Sequence, residues 1–175
     1  MAQAPQLPDT PSLVADLVRQ VRQLISHQQL QDPLVIGIHT GGVWLAATLA
    51  QAIAAPLGKL DISFYRDDFT QQGINPKVNP SSLPFDINNR HIILVDDVLM
   101  SGRTVRAALN EIFDYGRPAS IKLATLCAIN GRQLPIQADA CALQLELAGS
   151  QYLQLEGPEP LQLTLIERIT DESVS

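Results

Sequence analysis

HIILVDDVLMSGRTVRAALNEIFDYG, residues His91–Gly116, is the stretch whose reading decides the fold. Ile92–Val95 is a continuous apolar run, rich in β-branched residues and too short for a helix. That is the pattern of a strand buried on both faces of a parallel sheet. Asp96 and Asp97 follow, then a short loop holding Gly102, then apolar Val105, Ala108, Leu109 and Ile112 at helical spacing. Thr104 stands where an N-cap is wanted, and Gly116 with Pro118 beyond it supplies the stop. Strand, paired acids, Ser-Gly loop and helix, in that order, outline a site for a phosphate ester.

The chemistry explains the order. Strand carboxyl ends in an open α/β sheet face the crevice where ligands bind. Backbone N–H groups of Met100–Thr104, at the start of the helix, can wrap a monophosphate with the helix dipole behind them. Gly102 lets the backbone approach closely, and the hydroxyls of Ser101 and Thr104 add donors. Asp96 and Asp97 would repel that phosphate, so sugar hydroxyls are their natural partners, met directly or through Mg²⁺. A phosphate with a vicinal diol beside it describes a ribose 5-phosphate. The other phosphate-binding signatures, GxxxxGK[ST] and GxGxxG, are absent.

A second strand–loop–helix unit lies upstream. Leu34–Ile38 reads as a core strand, His39-Thr40-Gly41-Gly42 as a tight loop, and Val43–Ala55 as a helix presenting Trp44, Leu45 and Leu49 for packing. Ahead of it, Leu13, Leu17, Val18, Val21, Leu24 and Ile25 predict a helix capped by Ser12 and running to about Gln31, before Asp32-Pro33. Arg19 and Arg22 lie on one side of that helix, as on a solvated surface. Ala55–Gly58 marks a boundary, and Leu60–Tyr65 alternates as a half-buried strand. Phe69–Ser82 is a long polar loop, of the kind that serves as a lid or binding loop or else lacks order. Downstream, Ile121–Ile129 and Ala138–Leu143 read as strands joined through the Asn130-Gly131-Arg132 turn. Tyr152–Leu155 and Leu161–Ile166 read as short edge or dimer-facing strands.

The chain has 175 residues, of which 46% are hydrophobic and 17% charged, as suits one globular domain. Its net charge of -6 argues against a generally basic nucleic-acid surface. Cys127 and Cys141 are too few and too unlike CxxC to suggest zinc, and imply a reduced, cytoplasmic setting. There is no secretory leader pattern and no apolar run long enough to cross a membrane.

Ile92–Thr104 resembles the phosphoribosyl pyrophosphate (PRPP) signature of type I phosphoribosyltransferases: an apolar strand, two acids, and a loop ending in [ST]-G-x-T. The longer string VDDVLMSGRTVRAALNEIFDYGRPAS is similar to the PyrR family. LDISFYRDD (Leu60–Asp68), LPFDI (Leu83–Ile87) and GRQLPIQAD (Gly131–Asp139) resemble PyrR segments in the same order, so the likeness covers about Ser12–Asp139.

The resemblance implies an α/β, type I phosphoribosyltransferase fold: a central, mostly parallel sheet flanked by helices, with a small hood and a flexible lid loop. From the residues themselves, Pro- and Gln-rich Met1–Pro11 is expected to be mobile, residues 12–169 to form a single domain, and the end at 170–175 to be frayed. The implied reaction converts uracil and PRPP to UMP and pyrophosphate with Mg²⁺, alongside a pyrimidine-regulatory role. In it Asp96 and Asp97 act on the ribose and are the catalytic pair, with Mg²⁺ bound through PRPP and touching them. Met100, Ser101, Gly102, Arg103 and Thr104 take the 5-phosphate. Thr40, Gly41 and Gly42, in a loop that often holds a cis peptide, take pyrophosphate with Arg66 and Lys77 of the lid. Ile129, Asn130, Gly131 and Arg132 read the base.

The alternative role is a UMP- or UTP-sensing regulator that binds an mRNA leader, for which Arg19, Arg22, Arg90, Arg106, Arg117 and Arg132 would have to converge. A different base, purine or orotate, is a milder variant. A homodimer or tetramer is implied, with Trp44, Phe113 and the apolar tail as interface candidates. The sequence departs from the family pattern in two places. The common arginine and lysine are replaced by Gly41 and His39, and the usual Asp-Arg-Gly-His-Arg run is Ala128-Ile129-Asn130-Gly131-Arg132.

Overall fold

Each crossover returns the chain to the same end of the sheet, so the apolar runs pair in parallel. A computed structural model describes residues 5–62 and 81–169; Ser63–Tyr65 of the expected strand, Arg66, and residues 69–80 of the expected lid, Lys77 among them, lie outside the described residues, as does the expected frayed end at 170–175. The elements are α1 (Thr10–His27), β1 (Leu34–Ile38), α2 (Gly41–Ile53), β2 (Leu57–Leu60), β3 (His91–Leu99), α3 (Arg103–Tyr115), β4 (Ser120–Ile129), β5 (Ala140–Leu145), β6 (Gln151–Glu156) and β7 (Gln162–Glu167). The first five strands form one parallel sheet in the order β2-β1-β3-β4-β5, and β6 and β7 form an antiparallel pair. This is the parallel sheet flanked by helices that the sequence predicts.

The two-residue period of the central strands divides the core in two. Ile93 and Val95 of β3 join Val35, α1, α2 and Leu153, Leu155 and Leu163 of the β6–β7 pair. Ile92 and Leu94 join Leu34, Ile36 and Ile38 and the inner face of α3, Val105, Ala108 and Ile112. Gly37 allows α2 to cross β1 closely: a Cβ there would lie 2.7 Å from Ala46 Cβ, Gly42 O and Val43 Cα. The tail strands therefore cover the α1–α2 layer. Their Gly157–Pro160 turn lies over Trp44, which is half-buried under it; Phe113 on α3 stays 58% exposed.

Several boundaries differ from the sequence reading, each for a local reason. Asp9, not Ser12, caps α1: its Oδ2 accepts from Ser12 N at 3.0 Å, so Thr10 and Pro11 are already helical. The helix stops at His27 rather than Gln31, because Gln29 takes φ 52° and Leu30 folds back, donating to Ile25 O and burying its side chain. Gly102 (φ 91°), not Thr104, is the N-cap of α3. Gly41 and Gly42 open α2 itself, which begins two residues before Val43. Strand β2 starts at Leu57, inside the expected boundary, since pairing with Val35–Ile38 recruits it. Strand β5 lies two residues later than expected, at Ala140–Leu145.

Strand β5 forms one edge of the sheet, and α1 closes part of it. Gln20 Nε2 donates to Cys141 O and its Oε1 accepts from Cys141 N, both at 2.9 Å, so a carboxamide stands in for a neighbouring strand's peptide. Gln20→Ala is expected to lower stability by about 1–2 kcal/mol by leaving two backbone groups to imperfect solvation. Urea unfolding reads this directly, and an unchanged midpoint would show that the clasp contributes nothing.

Candidate active site

The paired acids are part of β3 rather than a loop after it; Asp96 is in register with Thr125 of β4. Strand alternation continues through them, so the two carboxylates lean toward opposite layers. Asp96, 5% exposed, follows Ile92 and Leu94 toward α3, and its Oδ1 accepts from Asp97 N at 2.9 Å. Asp97 follows Ile93 and Val95 toward α2, and its Oδ1 accepts from Val98 N at 2.9 Å. Each carboxylate is thus fixed through one oxygen by a neighbouring amide.

The start of α2 comes to meet Asp97. Gly41 is buried, and a Cβ built there would collide with the Asp97 carboxylate; one at Gly42 would lie 2.5 Å from Val95 O and 3.0 Å from Asp96 Cα. The missing side chains let the helix N-terminus rest on the end of β3, where the helix dipole favours negative charge. The His39–Thr40 peptide entering this turn is cis. The side chain expected to carry a cation at position 41 is replaced by the space Asp97 uses.

On the other side of Asp96 is the Met100–Thr104 turn. Gly102 is buried, Arg103 exposed, and Ser101 and Thr104 half-buried. One amide of the expected collar is engaged internally, since Arg103 N donates to Ser101 Oγ at 3.2 Å. The turn backs onto the crossover that joins β4 to β5. Gln133 N and Leu134 N donate to Ser101 O at 3.0 and 3.1 Å, Arg103 Nε donates to Gln133 Oε1 at 2.7 Å, and Arg132 Nη1 donates to Met100 O. Gln133 lies in the PyrR-like GRQLPIQAD segment, but nothing in the sequence points to its bond with the Met100–Thr104 turn.

The expected base-reading residues are placed at this edge, but two are occupied otherwise. Asn130 Oδ1 accepts from Leu147 N at 2.7 Å and Nδ2 donates to Leu147 O at 3.1 Å, so its carboxamide clasps backbone. Arg132 is bound to Met100, while Gly131 takes φ 108° and Ile129 is buried. A cavity of about 670 Å³ lies along β5, lined by Ile129, Asn130, Arg132, Ile136, Cys141 and Glu146 among others, but not by Asp96, Asp97 or Met100–Thr104. Nearby, burial together with Cys141 and Asp97 pushes the Cys127 thiol up to about 12, which keeps it neutral and unreactive.

Two acids at the end of a central strand, a helix N-terminus on one side and a glycine-containing turn on the other, form the arrangement that the sequence likens to the phosphoribosyltransferase class. The model of the phosphoribosyl transferase domain family matches residues 4–158. The Bifunctional protein PyrR of Pseudomonas fluorescens is 49% identical over 161 residues, covering 91% of this chain and 96% of its own. That of Nitrosococcus oceani is 53% identical over 158 residues, covering 88% and 89%. The chain belongs to the PyrR family of phosphoribosyltransferases.

Solved structures agree in fold. A purine phosphoribosyltransferase from Pyrococcus horikoshii superposes with a TM-score of 0.58 at 22% identity, over 76% of this chain and 83% of that one. A hypoxanthine phosphoribosyltransferase from Staphylococcus aureus does so with 0.61 at 17%, over 81% and 77%. Among the described residues no helix is long and apolar enough to cross a membrane.

Proposed function

We propose that this chain transfers the phosphoribosyl group of PRPP to uracil, releasing pyrophosphate and forming UMP, in the cytoplasm. The observation that carries the reading is the placement of Asp96 and Asp97 between the amino end of α2 and the Met100–Thr104 turn. The turn takes the 5-phosphate through the amides and hydroxyls at the start of α3. Asp96 and Asp97 take the ribose hydroxyls and oppose the positive charge that grows at the anomeric carbon as the bond to pyrophosphate breaks. Thr40, Gly41 and Gly42 take the departing pyrophosphate, with Arg66 and Lys77 as further ligands from the segment before Ser81. Backbone groups at Ile129–Gly131 read the uracil edge.

Pyrophosphate at Gly41 would share its place with the Asp97 carboxylate, and two anions so close call for a cation between them. Among the described residues no cluster of three or more His, Cys, Asp or Glu forms a cage of its own. Mg²⁺ held mainly by PRPP oxygens with Asp97 or Asp96 alongside fits that arrangement, and when bound it neutralises the leaving group's charge. The test is to mix protein, PRPP and Mg²⁺ with uracil and to look for UMP, with hypoxanthine, guanine and orotate run in parallel. Absence of any nucleotide product would overturn the reading; product from another base alone would move the acceptor assignment.

The relatives are named as bifunctional, which favours a second activity. In it UMP or UTP occupies the same pocket and alters binding to an mRNA leader. Within one subunit the six arginines do not share a face. Arg19 pairs with Asp16, Arg22 bonds Ala52 O beside α2, Arg90 bonds Asp32 O near the strands' amino ends, and Arg132 bonds Met100 O near their carboxyl ends. A homodimer or tetramer is therefore needed to assemble a basic surface from them. Salt-titrated binding to leader RNA, with and without UMP, tests it; affinity that ignores salt and nucleotide alike would retire it.

A further inference from the structure

We infer that Arg132 is a positioning residue for the phosphate turn, and not a reader of the base. The inference rests on the ribose-phosphate reading of Met100–Thr104 given above and assigns what holds that turn in shape.

A peptide turn binds an anion only if its N–H groups face the ligand and its carbonyl oxygens face away, because a carbonyl dipole turned inward repels a phosphate. At Met100 and Ser101 the outward direction is enforced. Arg132 Nη1 donates to Met100 O, and Ser101 O accepts from both Gln133 N and Leu134 N, at 3.0 and 3.1 Å. Arg103 Nε adds a bond to Gln133 Oε1 at 2.7 Å. The contact is close as well as bonded: a Cβ at Gly102 would lie 3.3 Å from Ile136 Cβ and 3.4 Å from Leu134 Cβ, and one at Gly131 would lie 3.3 Å from Met100 Cγ.

The anchorage continues behind the crossover. Asn130 is clasped to Leu147 through both atoms of its carboxamide, so the chain entering Gly131 and Arg132 is itself fixed to the sheet's edge. Gly131 turns at φ 108° and delivers Arg132 to Met100. A guanidinium bonded to a main-chain carbonyl at this spot also sets a positive charge behind the turn, which favours an anion in front of it. Phosphate turn and crossover behave as one body.

The test uses Arg132→Met, which keeps the aliphatic stem and removes the donors, and Arg132→Lys, which restores one. Binding of ribose 5-phosphate and of UMP is followed by calorimetry, uracil KM by steady-state kinetics, and exchange of the Met100–Thr104 amides by hydrogen exchange without ligand. Arg132→Met is expected to weaken both ligands about tenfold, consistent with loss of one charged hydrogen bond, and to speed exchange in the turn. Uracil KM at saturating PRPP stays put, and Arg132→Lys recovers most of the affinity.

A rise in uracil KM with unchanged ribose 5-phosphate binding would overturn the inference, as would unaltered exchange. If the unaltered protein binds neither ligand, the ribose-phosphate reading fails, while the exchange measurement still decides whether Arg132 holds the turn. Should Arg132→Met not fold, Gln133→Ala, which cuts only the side-chain link to Arg103, must show the same pattern on a smaller scale.

Discussion

Gly42→Ala is expected to lower stability by about 1–3 kcal/mol and kcat/KM for PRPP by about a hundredfold. The added Cβ would meet main chain, not a side chain that can swing: Val95 O at 2.5 Å, Asp96 Cα at 3.0 Å and Val95 C at 3.3 Å. Relief requires the amino end of α2 to lift away from β3. That displaces the Thr40–Gly42 amides and shifts Asp96 relative to them, so both halves of the site lose register together. Gly41→Ala is the instructive contrast, because its Cβ would meet chiefly the Asp97 carboxylate, which can turn away by giving up its bond from Val98 N and leave only a 3.1 Å contact with Asp97 Cβ. Position 41 should therefore lose activity with little loss of stability. Urea unfolding and initial rates on both variants check this; a Gly42→Ala protein with unchanged midpoint and near-normal rate would contradict the close packing described here.

Asp97→Asn is expected to lower turnover by about a hundredfold while stability falls by no more than about 1 kcal/mol. Asparagine keeps the shape, and its Oδ1 can still accept from Val98 N as the aspartate does at 2.9 Å. What changes is the other atom, which becomes a donor where a negative oxygen rested at the start of α2. The loss is then electrostatic: less opposition to positive charge on the ribose, and a poorer partner for a cation bound with pyrophosphate. Turnover at saturating PRPP and uracil measures it. A rate within threefold of the unaltered protein would remove Asp97 from the chemistry.

Both strand–turn–helix units could be read from sequence because each is local. Ile92–Val95 and Leu34–Ile38 are apolar runs that only a doubly covered strand explains, and the glycines and acids follow within a few residues. Asp9 was harder to see as a cap, because Ser12 is an equally good cap residue and only the fold shows which bonds to which. LGKL at β2 has no clear alternation, and pairing with β1 rather than propensity makes it a strand. The internal bonds of the expected base-side residues were hidden for a similar reason. Asn130 and Arg132 look like polar groups offered to a ligand, yet their partners, Leu147 and Met100, lie 17 and 32 residues away and cannot be inferred from the turn alone.

The clasp at Asn130 also bears on how the protein ages. An asparagine followed by glycine is the dipeptide most prone to deamidation, since the next backbone nitrogen can attack the side-chain carbonyl when both are free to rotate. Here the carboxamide is held at Oδ1 and Nδ2 by Leu147, which keeps it from reaching that geometry. Conversion to aspartate would set a carboxylate oxygen against Leu147 O and loosen the chain leading to Arg132. Chemical wear at this one bond would thus loosen the crossover behind the Met100–Thr104 turn before the sheet itself came apart.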